Sequence, residues 1–176
     1  DIIEAFSWLD AEIQKKIRIY LIGANGEADY VEAITARIKN LPPYAAERII
    51  LTGPTSDPFK YYVAADIAVC TSRVESAPRV IVEAMACGLP IITTPVFGIP
   101  EQVYENVNAL FYSPGDAEAL AILISHLVED EALRSQLAMK SRAVLDSQPG
   151  FAEMVEDYGK IIHQAAVLDV VSDTIQ

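Results

Sequence analysis

The sequence predicts an α/β fold built on a doubly wound parallel sheet, and two observations predict it. Apolar runs such as "RIYLIG", "RIILTG" and "IAVCT" are short and continuous, without the in–out alternation of a sheet wetted on one face. Segments with a helical apolar period lie between them, the pattern that places strands in parallel under helices on both faces.

Taken in order, an amphipathic helix opens the chain in "DIIEAFSWLD", and Arg18 to Gly23 reads as the first strand. Ala28 to Lys39 is a helix, Arg48 to Gly53 a second strand, and Asp57 to Ala65 a short helix. Ile67 to Thr71, Pro90 to Thr94 and Ala109 to Tyr112 complete the strands. Three helices follow with little between them: Ala117 to Val128, Glu131 to Leu145, and Phe151 to about Val167. Asp116 and Glu118 suit the start of the first, as N-cap and first-turn acid. No repeat or linker interrupts residues 1–176, which read as one domain of the Rossmann type.

Composition narrows the function. Hydrophobic residues make up 52% of the chain and charged residues 22%, a globular balance. A net charge of −12 argues against nonspecific nucleic-acid binding, and the densest basic cluster, Lys15, Lys16 and Arg18, reads as the solvated start of a strand. Cys70 and Cys87 each sit in an apolar run and read as reduced core thiols of a cytoplasmic protein. His126 and His163 lie in C-terminal helices, and no His/Cys spacing suggests a metal site. No apolar run approaches the roughly 18 residues of a membrane span. The chain opens without methionine and inside a helix, so a longer protein is expected.

Ligands of such sheets bind outside the carboxyl ends of the strands. That rule selects the loops Gly23 to Glu27, Gly53 to Asp57 and Ser72 to Arg79. "GANGEA" lacks the G-x-G-x-x-G spacing of a dinucleotide site. The third loop enters "SRVESAPRVIVEAMACGLPIITT", Ser72 to Thr94, a helix expected to be buried almost all round by Val80, Ile81, Val82, Ala84, Met85, Ala86 and Cys87. Pro78 suits its first position, and Gly88 and Pro90 mark its end. Arg79 and Glu83 share one side, and as a simple i, i+4 pair they contribute only about 0.2–0.5 kcal/mol. Arg before Glu is the weaker order, and a cation in the first turn opposes the helix dipole. An anion bound at the helix N-terminus reverses that penalty. Glu83, one turn further in, can then accept from two adjacent ribose hydroxyls, while Glu75 reaches a second polyol beyond the phosphates. Phosphate between two hydroxyl-rich groups describes a nucleotide sugar.

"VESAPRVIVEAMACGLPIITT" resembles the Glu-x7-Glu segment of retaining GT-B glycosyltransferases of the glycosyl transferases group 1 family (glycosyltransferase family 4). The resemblance runs in order through "IYLIGANGEADYVEAI", "RIILTGPTSDPFKYYVAADIAVCTSRVES" and "TPVFGIPEQVYENVNALFYSPGDAEALAILISHLVEDEALRSQL". It implies that these residues form the donor-binding, C-terminal half of a GT-B fold, acting on a nucleoside diphosphate sugar with no resident cofactor or metal. It implies that Glu83 holds the ribose and that Glu75, the catalytic candidate, lies near the donor sugar. Ser76, Ala77, Pro78 and Arg79 would face sugar and diphosphate, with Gly23 in the glycine turn and Gly53, Pro54 and Thr55 lining the base. The partners implied are the nucleotide sugar, an acceptor (glycan, lipid or small molecule) and an N-terminal domain outside these residues, which would also decide any membrane association. Two departures stand out. Pro78 occupies a position where many members carry glycine, and the family's diphosphate-gripping Arg and Lys belong to a strand preceding Asp1. The isolated residues are therefore expected to be inactive. Rival readings are a non-catalytic nucleotide-sugar-binding or scaffold module, an epimerase or phosphorylase on the same fold, and an acidic Rossmann domain for another phosphate ligand.

Overall fold

A computed structural model of the chain describes residues 1–23 and 28–173, with side chains through residue 165. It divides into two compact units, Asp1–Leu145 and Asp146–Gln176. The first opens with helices α1 (Ile2–Trp8) and α2 (Ala11–Lys16), then strand β1 (Ile19–Ile22), α3 (Ala28–Lys39), α4 (Pro43–Ala46), β2 (Ile49–Gly53) and α5 (Phe59–Ala64). It continues through β3 (Ala68–Cys70), α6 (Arg79–Ala86), β4 (Ile91–Thr93), α7 (Ile99–Gln102), β5 (Ala109–Phe111), α8 (Ala117–Glu129) and most of α9 (Glu131–Asp146). In the second unit, α10 (Phe151–Asp173) carries Phe151, Met154, Val155, Tyr158, Ile161 and Ile162 exposed.

All five predicted strands are present and pair in parallel, β1 with β2, and β3 with β4 and β5 in that order. Helices α2, α4 and α7 were not expected. Lys15 and Lys16, exposed just ahead of β1 as anticipated, end α2, where cations also complement the helix dipole. Asp116 caps α8 as anticipated, its carboxylate accepting from the Ala119 N–H at 2.9 Å.

Successive strand residues point to opposite faces, and each face has its own core. Ile92 and Leu110 join one cluster with Phe6, Ile13, Ile49 and Leu120 from α1, α2, β2 and α8. Their neighbours Ile91 and Ala109 join the other, with Ile81 and Met85 of α6 and Ile99 of α7. This is the doubly wound α/β arrangement read from the sequence. Cys70 is buried in the second cluster, whereas Cys87 is only half-buried at the C-cap of α6. On β1 only Ile19 and Leu21 pack inward; Tyr20 and Ile22 stay exposed on the other face. Gln14 ties α1 to α2, its amide donating to the Phe6 and Leu9 carbonyls at 2.8 and 2.9 Å.

Phe6 is fully buried where α1 meets α8, whereas Trp8, two residues on, is 58% exposed. Phe6→Ala is expected to cost about 3–5 kcal/mol and Trp8→Ala far less, read as shifts of the urea midpoint. Burial pushes the Tyr112 phenol up to about 12. An unfolded tyrosine titrates near 10, so in the window from about pH 10 to 12 the unfolded chain releases a proton that the folded chain keeps. Stability should therefore be intact below that window and fall within it by about 1.4 kcal/mol per pH unit for this group. Tyr112→Phe should flatten the fall in urea titrations.

Candidate functional site

Within each parallel sheet the carboxyl ends of the strands lie at one edge, and the loops selected from the sequence leave from those ends. Gly23 follows β1 with φ at 97°, and Gly53 ends β2 with φ at 69°. Both are left-handed conformations that only glycine adopts freely. A Cβ at either would meet no atom within 4 Å, so conformation and not crowding calls for glycine here. The Gly23 N–H donates to the Gly53 carbonyl at 3.0 Å, which joins the two turns. Ala24 to Glu27 of the "GANGEA" turn lie outside the described residues. Beyond Gly53, Pro54 is exposed, and the Thr55 hydroxyl accepts from the Asp57 N–H at 3.1 Å, folding the loop into α5.

The loop from β3 into α6 carries Glu75, half-buried, with Ser76 and Ala77 exposed. Its path is set by a glycine that the sequence reading passed over. The Gly98 N–H donates to the Glu75 carbonyl at 3.3 Å. A Cβ on Gly98 would overlap the Ser76 carbonyl oxygen and come within 2.8 Å of its carbon. Thr94, fully buried, donates its hydroxyl to the Ser72 carbonyl and holds the start of the same loop. Next to it Arg73 reaches Asp1 at 3.1 Å.

Pro78 stands one residue earlier than expected, as the N-cap of α6 with ψ at 121°. Its carbonyl accepts from the Ile81 N–H at 3.2 Å, and no side chain caps the helix. The helix is also less enclosed than expected. Ile81, Ala84 and Met85 are buried, but Val80 is 46% exposed and stands with Arg79 on the open side. The reason is geometric: eight residues span little more than two turns, and only one face meets β3 and β4.

Glu83 lies one turn inside that helix. Its side chain is 18% exposed, against 90% for Arg79, whose Nη2 lies 3.4 Å from Glu83 Oε1. A closer partner comes from α5, where the Tyr62 hydroxyl donates to Glu83 Oε2 at 3.1 Å. Burial first, then the hydrogen bond and charge of Glu83, push the Tyr62 phenol well above the usual tyrosine range and keep it a donor. Sequence reasoning missed Tyr62 because it lies 21 residues from Glu83 and no local spacing links them. Tyr61 beside it meets Tyr20 of β1 with ring centroids 5.9 Å apart, so α5 bridges the β1 end of the site to α6.

Residues 1–144 match the profile of the family described as glycosyl transferases group 1. The chain belongs to this family. It is 26% identical over 163 residues to the N-acetyl-alpha-D-glucosaminyl L-malate synthase of Bacillus anthracis, covering 93% of this chain and 41% of that protein. It is 28% identical over 151 residues to the D-inositol 3-phosphate glycosyltransferase of Xylanimonas cellulosilytica, covering 81% of this chain and 33% of that one. Among solved structures, Anabaena HepE in complex with UDP-glucose superposes with a TM-score of 0.82 at 26% identity, over 93% of this chain and 44% of that one. HepE shares the α/β architecture over the superposed residues, and the chain spans less than half the length of each of these proteins.

Gly98→Ala is expected to push the Glu75–Ser76 backbone aside and destabilise the fold by about 1–3 kcal/mol. The urea midpoint reads the cost, and the amide resonances of Ser76 and Ala77 in an NMR spectrum read the displacement.

Proposed function

We propose that the longer protein containing this chain is a retaining glycosyltransferase that moves a hexose-type sugar from a nucleoside diphosphate donor to a glycan, lipid or small-molecule acceptor. Residues 1–176 would supply the donor site and bind the donor as substrate, without a resident cofactor or metal. One observation carries the reading. Glu83 is a largely buried carboxylate facing the open side of α6, and Glu75 lies in the loop that enters the same helix. A carboxylate so placed suits a ribose diol, because it accepts two hydrogen bonds in a site where they are little diluted by water. HepE, similar in fold and in sequence, binds UDP-glucose, which supports a donor of that class.

In this reading the diphosphate sits at the start of α6, where the amides of Arg79 and Val80 and the Arg79 guanidinium stabilise the charge that develops as the sugar leaves. Ser76 and Ala77 present backbone groups to the donor, and Pro78 shapes the entry without offering an N–H. Glu75 positions the sugar. Gly23, Gly53, Pro54 and Thr55 form the side of the site that meets the base, largely through backbone. The acceptor site would belong to an N-terminal domain outside this chain, in a cytoplasmic enzyme of glycan biosynthesis. The sheets support a contribution from outside these residues: Ile19 and Leu21 of β1 and Ile67, just ahead of β3, pack on one hydrophobic cluster, yet no ladder joins β1 to β3 among the described residues. A strand lying between them would complete the sheet, and the isolated chain is accordingly expected to be inactive.

Glu83→Ala in the full-length protein should lower kcat/KM for the donor about 100-fold, the worth of two hydrogen bonds to a charged group. Unchanged donor affinity and turnover would remove the ribose assignment. Retention is read separately, from the anomeric configuration of the first-formed product by NMR.

A further inference from the structure

We infer that Tyr62 is a positioning residue of the donor site, holding the Glu83 carboxylate in the orientation that receives the nucleotide's ribose. The inference rests on the donor-site reading above and adds to it a residue on a different helix. Glu83 ends in a flexible side chain whose ordering on binding costs affinity. Its two oxygens have unequal partners. Oε1 faces Arg79 at 3.4 Å, and that guanidinium is 90% exposed on a long stem. Oε2 takes a hydrogen bond from the Tyr62 hydroxyl at 3.1 Å. The Tyr62 ring is itself anchored, packed on the cluster that contains Ile81 and Met85 and in edge contact with Phe59 at 6.0 Å between centroids.

The chemistry of the pair favours positioning over simple packing. Phenylalanine would fill the same space, so the hydroxyl is the feature to explain. An ionised carboxylate has about four lone-pair sites, of which Tyr62 takes one and Arg79 at most one. Two remain, which is the number a cis-diol needs. Tyr62 also offers a proton and competes for none, because its phenol stays protonated beside Glu83. The carboxylate plane is therefore set before ligand arrives, and part of the ordering cost is met in the free protein.

The test measures binding by calorimetry in the full-length protein. The ligands are UDP, GDP and ADP, and then the 2′,3′-dideoxy analogue of the tightest. Wild type should prefer the intact ribose. Tyr62→Phe should weaken the nucleotide about tenfold and leave the dideoxy analogue nearly unchanged. Added to Glu83→Ala, it should cause little further loss, because the group it positions is gone. Three results overturn the inference. Full affinity in Tyr62→Phe, with Glu83→Ala impaired, removes the positioning role and leaves the donor site standing. Equal losses for both ligands, or losses that add to those of Glu83→Ala, make Tyr62 a packing residue. No nucleotide binding by wild type, or no effect of Glu83→Ala, removes the donor-site reading and this inference with it. A melting temperature within a few degrees of wild type shows that Tyr62→Phe has folded.

Discussion

A carboxylate withdrawn from water is costly unless something donates to it, and the candidate site is arranged around one such group. Glu83 keeps 18% of its side-chain surface and sits in a helix whose other faces are apolar. Burying an ionised group without partners costs several kcal/mol, so its surroundings must supply donors. Tyr62 supplies one from α5, and Arg79 reaches another oxygen from the helix's own first turn. The requirement links α5 to α6, and a carboxylate with about four lone-pair sites still has acceptor capacity beyond these two partners.

Parallel pairing does the rest of the assembly. Because the strands of each sheet run the same way, Gly23, Gly53 and the Glu75 loop all emerge at carboxyl ends. The two cores fix the angle at which each loop leaves. On one face Phe6, Ile92 and Leu120 lock α1 and α8 beneath the sheet. On the other Ile81, Met85 and Ile99 lock α6 and α7 above it. Gly98 belongs to this second set of constraints. It starts α7, and the absence of a side chain there lets the Ser76 carbonyl approach. The loop that carries Glu75 is thus held from Gly98, far along the chain, by the space its missing side chain leaves and by the hydrogen bond from its N–H to the Glu75 carbonyl.

Much of this was legible in the sequence. Continuous apolar runs gave all five strands to within two residues, since burial on both faces leaves a signal in composition and length. Arg79, Glu83 and Glu75 were legible because their spacing along one helix and its approach is local. Tyr62 and Gly98 were not. Each acts through a contact made in three dimensions, a hydroxyl reaching across two helices and a backbone passing within van der Waals distance. No window of neighbouring residues contains both members of either pair. Helices α4 and α7 escaped for a different reason: at four residues each, they are too short to show a helical period. The exposure of Val80 was misread because apolar composition indicates how much of a helix can be buried, and the number of neighbours sets how much is.

Pro78 shows how a single-residue difference in register changes the chemistry expected of a site. At the first helical position it would delete an amide from the row that faces an anion. As the N-cap with ψ at 121°, it stands just outside that row and still lends its carbonyl to the Ile81 N–H. The amides of Arg79 and Val80 then lead the helix, with the field of the α6 dipole behind them. The rigid ring also restricts the chain entering from Ala77, as fixed φ does wherever proline precedes a helix. A glycine at this position would offer one more donor and a wider range of approaches. Proline trades that donor for a fixed entry, and the fixed entry suits a loop already pressed against Gly98.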